Sequence, residues 1–240
     1  SSLYFPALQE LQERALTVYL SIPFSSAKTS KKGEILLVGF KPQDYHLAKE
    51  GKINFVHEQI KSPVVEKYFS DAIVIRHIYT ESGSQISAPS LDKVGFHYRS
   101  PSRNCEAIPE KIMNKIGHIL PPEMGKFTAF GYAFAPQINI LYLDEGAVVN
   151  LPIFYQQVFQ GDKLAIPNPI LIYLARNSSA TIVSQRVSTD NLADQFMAGV
   201  CEIYLEEGAN LNFLDLNLAS RQSWDFQNQK AELEKNSALN

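Results

Sequence analysis

Four stretches of this chain repeat one pattern: Tyr142-Leu143-Asp144-Glu145-Gly146-Ala147, Tyr173-Leu174-Ala175-Arg176-Asn177-Ser178, Tyr204-Leu205-Glu206-Glu207-Gly208-Ala209 and Glu232-Leu233-Glu234-Lys235-Asn236-Ser237. Their leucines (143, 174, 205 and 233) lie 31, 31 and 28 residues apart. A fixed period of this size is the mark of stacked repeats. Ahead of each leucine the chain alternates with a period of two. Cys201, Ile203 and Leu205 alternate with Glu202, Tyr204 and Glu206, and Asn139, Leu141 and Leu143 alternate with Ile138, Ile140 and Tyr142. Such alternation places one set of side chains on each face of a strand. The Gly or Asn after each leucine suits the left-handed backbone of a tight corner.

A mean strand holds only about 5–6 residues, so each unit needs at least two strands and their turns. The repeats lack the i, i+3, i+4 apolar spacing of helical arrays. Leu211-x-x-Leu214-x-Leu216 occurs once and does not recur as a leucine-rich repeat would. The expected fold is therefore mainly β: a right-handed parallel β-helix whose coils stack about 4.8 Å apart, with about three coils in view. Leu211 and Phe213 alternate in one phase and Leu214, Leu216 and Leu218 in the other, which predicts a bulge or corner near Phe213.

Residues 1–125 read instead as a small α/β domain, with 126–240 as the first coils of a truncated β-helix. Pro6 opens a helix with Leu8, Leu11, Ala15, Val18 and Tyr19 on one face, ending before Pro23. Strands are expected over 34–40 and 72–79, with short helices near 44–50 and 63–70. A second amphipathic helix starts at Pro109, turns Ile112, Ile116, Ile119 and Leu120 inward and stops at Pro121-Pro122. The boundary is expected between Pro121 and Lys126.

Residues 1–125 carry 15 Lys+Arg against 13 Asp+Glu, a net of +2, and residues 126–240 carry 7 against 12, a net of −5. An acidic repeat half argues against nucleic acid, which asks for a basic stripe. No apolar run reaches membrane-spanning length and no signal-peptide order is visible, so no membrane partner is expected and the expected location is cytoplasmic. Two cysteines, Cys105 and Cys201, are too few for a disulfide framework.

Catalytic chemistry is not apparent. The chain has no Gly-x-x-x-x-Gly-Lys-[Ser/Thr] loop, no Gly-x-Gly-x-x-Gly fingerprint and no Gly-x-Ser-x-Gly elbow. Glu81-Ser82-Gly83-Ser84 fits a plain surface turn better than an anion nest. The histidines 46, 57, 77, 97 and 118 form no His-x-x-x-His pair, so ordinary packed or surface histidines are expected. The acidic pairs Asp144-Glu145 and Glu206-Glu207 occupy equivalent repeat positions, but Arg176 interrupts the ladder between them, which favours solvated corners over a cation site. Cys201 lies in the phase of Ile203 and Leu205, as a buried structural thiol would. Two cysteines 96 residues apart cannot build an iron–sulfur cluster alone, since a cluster takes about four thiolates. No catalytic, cofactor-binding or metal residues are assigned.

Lys126-Phe-Thr-Ala-Phe-Gly-Tyr-Ala-Phe134, then Ile138-Asn-Ile-Leu-Tyr-Leu-Asp-Glu-Gly-Ala147, Leu151-Pro-Ile-Phe154 and Gly199-Val-Cys-Glu-Ile-Tyr-Leu-Glu-Glu-Gly-Ala-Asn-Leu-Asn-Phe213 resemble the SufB/SufD scaffolds of Suf iron–sulfur cluster assembly. The likeness is good over 126–240 and loose over 50–125. The Glu-x-Trp-Lys-Tyr segment of SufD-type chains is absent, and no functional residue of the family can be placed here. The mixed N-terminal half nevertheless favours SufD over SufB. The resemblance implies a non-catalytic SufD-like scaffold that works with a SufB-like partner and a SufC-type ABC ATPase. It binds no cofactor alone; an iron–sulfur cluster would be held transiently at a partner interface. The alternatives are a β-helix carbohydrate-active enzyme such as a polysaccharide lyase, and a generic β-solenoid interaction module. Because the fourth repeat breaks off at Asn240, either a longer chain or self-association through an open β-helix end is expected.

Overall fold

The computed structural model describes residues 4–24, 37, 39–48, 71–89, 94–100 and 108–240, and its repeats form a parallel β-solenoid of about three turns. Helix α1 (Tyr4–Ser21) is followed by strands β1 (His46–Leu47), β2 (Ile73–Thr80), β3 (Gly83–Ser87) and β4 (Phe96–Arg99). Two short helices, α2 (Glu110–Met113) and α3 (Lys126–Ala133), lead into the repeats. These supply β5 (Asn139–Leu143), β6 (Ile153–Gln160), β7 (Leu164–Leu174), β8 (Ser179–Ser188), β9 (Phe196–Leu205), β10 (Asn210–Leu218), β11 (Trp224–Leu233) and β12 (Ala238–Leu239).

Alternate strands go to alternate sheets. The first sheet runs β11-β9-β7-β5-β4, with β1 alongside β7, and the second runs β12-β10-β8-β6-β2-β3. Contacts from β5 to β11 and from β2 to β12 are all parallel, whereas β4 and β3 fold back antiparallel on β5 and β2. Strands from either side of residue 125 thus share both sheets.

The four repeat leucines meet in one row, Leu143↔Leu174↔Leu205↔Leu233. Three positions beyond each sits a left-handed residue: Gly146 and Gly208 at φ 70°, Asn177 at 57° and Asn236 at 58°. That is the backbone the corner reading expected. On this side the corners 175–178, 206–209 and 234–237 are equal in length, whereas 161–163, 189–195 and 219–223 on the other side are not.

Between the sheets, Ile73, Ile75, Leu141, Leu143, Ile153, Ile170, Ile172, Ile182, Ile203 and Leu211 form a buried core that takes in Cys201. The outer face of the first sheet, with Ile140, Tyr142, Leu171, Tyr173, Val200 and Tyr204, buries Leu11 and Ala15 of α1 together with Ile108, Ile112, Met113, Ile119 and Leu120. Helix α3 lies close against β9. A Cβ on Gly131 would come within 2.7 Å of Val200 Cγ2, so glycine is what allows the approach. Lys126 Nζ donates to the carbonyls of Tyr19, at 2.6 Å, and Ile22, and lies over the rings of Tyr19 and Phe24. A cation there complements the C-terminal end of α1.

Three local readings change. The helix near 44–50 is, over its described part, the end of a 3₁₀ turn (Pro42–Asp44) followed by β1. The helix from Pro109 lasts only to Met113 and continues as turns, although Ile112, Ile119 and Leu120 are buried as expected. Its later N–H groups point instead to the Glu202 carboxylate, and Gly117 adopts φ 70°. The bulge near Phe213 is absent: β10 pairs with β8 without interruption from Asn210↔Ser179 to Leu218↔Val187. Leu214, Leu216 and Leu218 lie on the outer face because Asp215 and Asn217 take the inward positions. The strand over 34–40 lies mainly, and the helix over 63–70 wholly, outside the described residues. β2 matches its reading, and α1 matches in its inward face and its end but begins at Tyr4, two residues ahead of Pro6.

Candidate functional site

The interior of the solenoid is not uniformly apolar. Strand parity turns Ile73, Ile75, His77 and Tyr79 of β2 inward, and the register carries the same alternation up the second sheet. Its rows Ile75–Tyr155–Ser184–Asp215 and His77–Gln157–Arg186–Asn217 are increasingly polar. Facing them, the first sheet offers Asn139, Asn168, Gly199 and Gln227. The result is a polar stripe along the solenoid axis. It separates the main apolar core from a smaller one made by Tyr79, Phe159, Leu164, Ile166 and Met197.

In the first coils the stripe is a neutral network. Asn168 Oδ1 accepts from Tyr79 OH at 3.0 Å, Asn139 Nδ2 at 3.1 Å and Tyr155 OH at 3.3 Å. Asn139 Oδ1 accepts from Tyr98 OH at 2.7 Å. The His77 ring lies on Tyr79 at 3.9 Å, and burial lowers its pKa to about 3, so it is neutral at ordinary pH. Burial raises the Tyr79 and Tyr155 phenols well above their ordinary value.

One coil further the stripe is charged. The Arg186 side chain is 5% exposed and makes a two-pronged contact with Asp215, at 2.6 and 3.1 Å, while its Nε donates to Asp225 at 2.9 Å. Asn217 Nδ2 donates to Asp225 at 2.7 Å and Gln229 Nε2 to Asp215 at 2.7 Å. Burial opposes the charge on Arg186, but the two carboxylates outweigh it and raise its pKa. Gly199 opposite has no side chain, and the Gln227 amide fills the space its Cβ would take.

A second buried charge lies on the outer face of β9. Glu202 is 1% exposed and accepts N–H bonds from Gly117 at 2.6 Å, Ile119 at 2.9 Å and Leu120 at 2.9 Å, together with the Tyr132 hydroxyl at 3.1 Å. It fastens the segment leading into α3 to the coils.

The residues singled out in the sequence are dispersed. Asp144 meets His97 at 2.8 Å, and His97 stacks on Tyr142. Glu206 accepts from Lys111 Nζ and the Arg176 N–H, at 2.9 and 2.8 Å, and from the Tyr173 hydroxyl. Asp144 and Glu206 are thus each held by separate donors. Cys201 is buried as expected, and burial raises its thiol pKa far above the ordinary value. His46 and His118 are exposed, and of Glu81–Ser84 the first two residues form the turn between β2 and β3 and the last two begin β3. Cys105 and His57 lie outside the described residues. Among the described residues no group of three or more His, Cys, Asp or Glu is placed to hold a metal ion, and no helix is long and apolar enough to cross a membrane.

Chemically, the stripe offers neutral hydrogen-bonding groups and one compensated ion cluster. Its buried histidine and phenols, like the Cys201 thiol of the neighbouring core, are all shifted away from neutral pH, so none is poised for proton transfer there. Sequence reasoning missed the stripe, although a signal exists: Asn139 and Asn168, and likewise Arg186 and Asp215, stand at inward phase in neighbouring coils.

Residues 157–240, from within β6 through β12, match the family model described as SUF system FeS cluster assembly, SufBD core domain. The match supports the SufB/SufD family without separating SufD from SufB. Comparison with curated proteins finds no match.

Proposed function

We propose that this chain, with its SufBD core domain, acts in the cytoplasm as a SufD-like scaffold subunit of iron–sulfur cluster assembly, beside a SufB-like partner and a SufC-type ABC ATPase. The core-domain match over the stacked coils carries this reading. In this reading a partner hydrolyses ATP and an iron–sulfur cluster is held transiently at a partner interface. The scaffold is then non-enzymatic and works through its surfaces.

Co-expression with candidate SufB-like and ABC ATPase chains tests the proposal. Recovery of a stable complex that gains iron and acid-labile sulfide is expected. Release of unsaturated oligosaccharides from polyuronate would overturn it in favour of a lyase, and recovery with neither partner would reduce the chain to a general solenoid interaction module.

A further inference from the structure

Strand β7 is a middle strand of the first sheet, yet it contains Pro167 and Pro169. A proline donates no ladder bond and is normally confined to sheet edges and bulges. Towards β9 the pairing of β7 is unbroken from Ala165↔Phe196 to Leu174↔Leu205. On its other side β1 takes Leu164 and Ala165, and β5 takes 170–174. Among the described residues nothing pairs with 166–169 on that side. Strand parity sets both prolines against this break. Ala175 N–H bonds Leu143 O on the β5 side, while Leu174 O accepts from Glu206 N–H on the β9 side, so the odd residues of β7 face β5. Carried back along the strand, N–H groups at 169 and 167 would meet the carbonyls of Gln137 and Ala135. Both donors are missing.

Residues 135–138 therefore cross the break as a strap outside the ladder. Gln12 Nε2 of α1 donates to Ala135 O at 3.0 Å, in the place that Pro167 leaves empty. Pro136 is exposed at the surface and Gln137 half-buried. Gln137 lies at the inward phase of Asn139 and Leu141 and reaches through the wall to the fully buried His77, with 3.3 Å between the two Nε2 atoms. A single side chain thus spans the wall from surface to lumen. Among the described residues, every hydrogen bond of the strap uses a side chain. It can leave without breaking a rung of either sheet, and elements held in this way open at lower cost than the ladders around them.

We propose that residues 135–138 form a side gate of the solenoid: they swing outward while the coils stay stacked, and withdrawal of Gln137 opens the polar stripe at His77 to small polar solutes. Behind the gate stand His77, Tyr79, Asn139 and Asn168, all neutral donors and acceptors. The gate therefore suits uncharged molecules rather than ions.

Diethyl pyrocarbonate, a small uncharged reagent that acylates neutral imidazole, tests this on the full chain at neutral pH, with the His77 peptide followed by mass. Labelling of His77 is expected in the folded protein, at a rate that low urea leaves unchanged. Gln12→Ala should speed it about fivefold, and Pro169→Ala, which supplies the N–H for Gln137 O, should slow it by about as much, each change being worth one hydrogen bond. A His77 that stays unlabelled, or is labelled only at the rate of global unfolding with a steep rise in urea, overturns the proposal. That arm is read on the unmodified protein and depends on no variant. Labelling that neither substitution changes also overturns it, because the reagent would then enter by another route.

Discussion

Glu202 and Arg186 are both removed from water within the same solenoid, yet they are held in opposite ways. Glu202, on the outer face of the first sheet, makes no ion pair among the described residues. It takes backbone N–H groups from a segment that has given up its helix to supply them. Arg186, in the lumen, is answered by side-chain carboxylates from two later strands. Outside, then, a charge is matched by fixed backbone from a distant part of the sequence. Inside, it is matched by side chains that the register of the later coils delivers.

Four measurements probe that contrast. Glu202→Ala leaves three buried N–H groups and a phenol without their acceptor, at about 1–3 kcal/mol each. Urea denaturation should show a loss of about 5 kcal/mol, with Glu202→Gln near half of it. A loss under about 1 kcal/mol would mean that apolar packing alone holds residues 108–120.

The lumen should respond to acid. His77 has a folded-state pKa of about 3 against an ordinary value of 6.5. Between those values the unfolded chain binds a proton that the folded chain refuses, so stability falls as pH drops through the window. At about 1.4 kcal/mol per unit the loss approaches about 4 kcal/mol near pH 3. His77→Phe should remove that part of the slope in a pH series of denaturation curves, and an unchanged slope would place the acid sensitivity elsewhere.

Arg186→Met strands two carboxylates. Breaking a buried pair costs about 3–5 kcal/mol, and the partial exposure of Asp215 and Asp225 puts the expectation near the lower figure. Adding Asp215→Asn and Asp225→Asn should restore most of it, since the loss comes from uncompensated charge. Glu202→Ala should admit no such side-chain rescue. The smallest effect expected is that of Gly199→Ala, whose new Cβ collides with the flexible Gln227 amide. About 1 kcal/mol of overpacking should vanish when Gln227→Ala is added.

The contrast also explains what could be read from the sequence. The coils were visible because leucines and left-handed Gly or Asn residues recur at matching positions, and each such position has one physical demand. The lumenal stripe was hidden because a polar residue at inward phase looks the same as an apolar strand changing face. That ambiguity produced the bulge expected near Phe213, where Asp215 and Asn217 in fact turn inward. The shortened helix after Pro109 was hidden for another reason. Its apolar spacing is helical and its apolar residues are buried, but its backbone is claimed by a carboxylate some 85 residues away, which no local pattern records. The singled-out corner acids were visible as a recurring position, and Asp144 and Glu206 among them proved to be tied to separate neighbours.

The unequal corners carry a consequence for how such a chain can change over evolutionary time. On the side of 175–178, 206–209 and 234–237, each corner bonds the next, as in Gly146 N–H to Arg176 O, Asn177 N–H to Glu207 O and Gly208 N–H to Lys235 O. An insertion there would misalign every coil beyond it. The opposite corners, 161–163, 189–195 and 219–223, already differ in length while the strands around them stay in register. One edge of the solenoid therefore behaves as an invariant spine and the other as a row of replaceable loops. Divergence in length among related chains, and tolerance of inserted tags, should concentrate along that second edge.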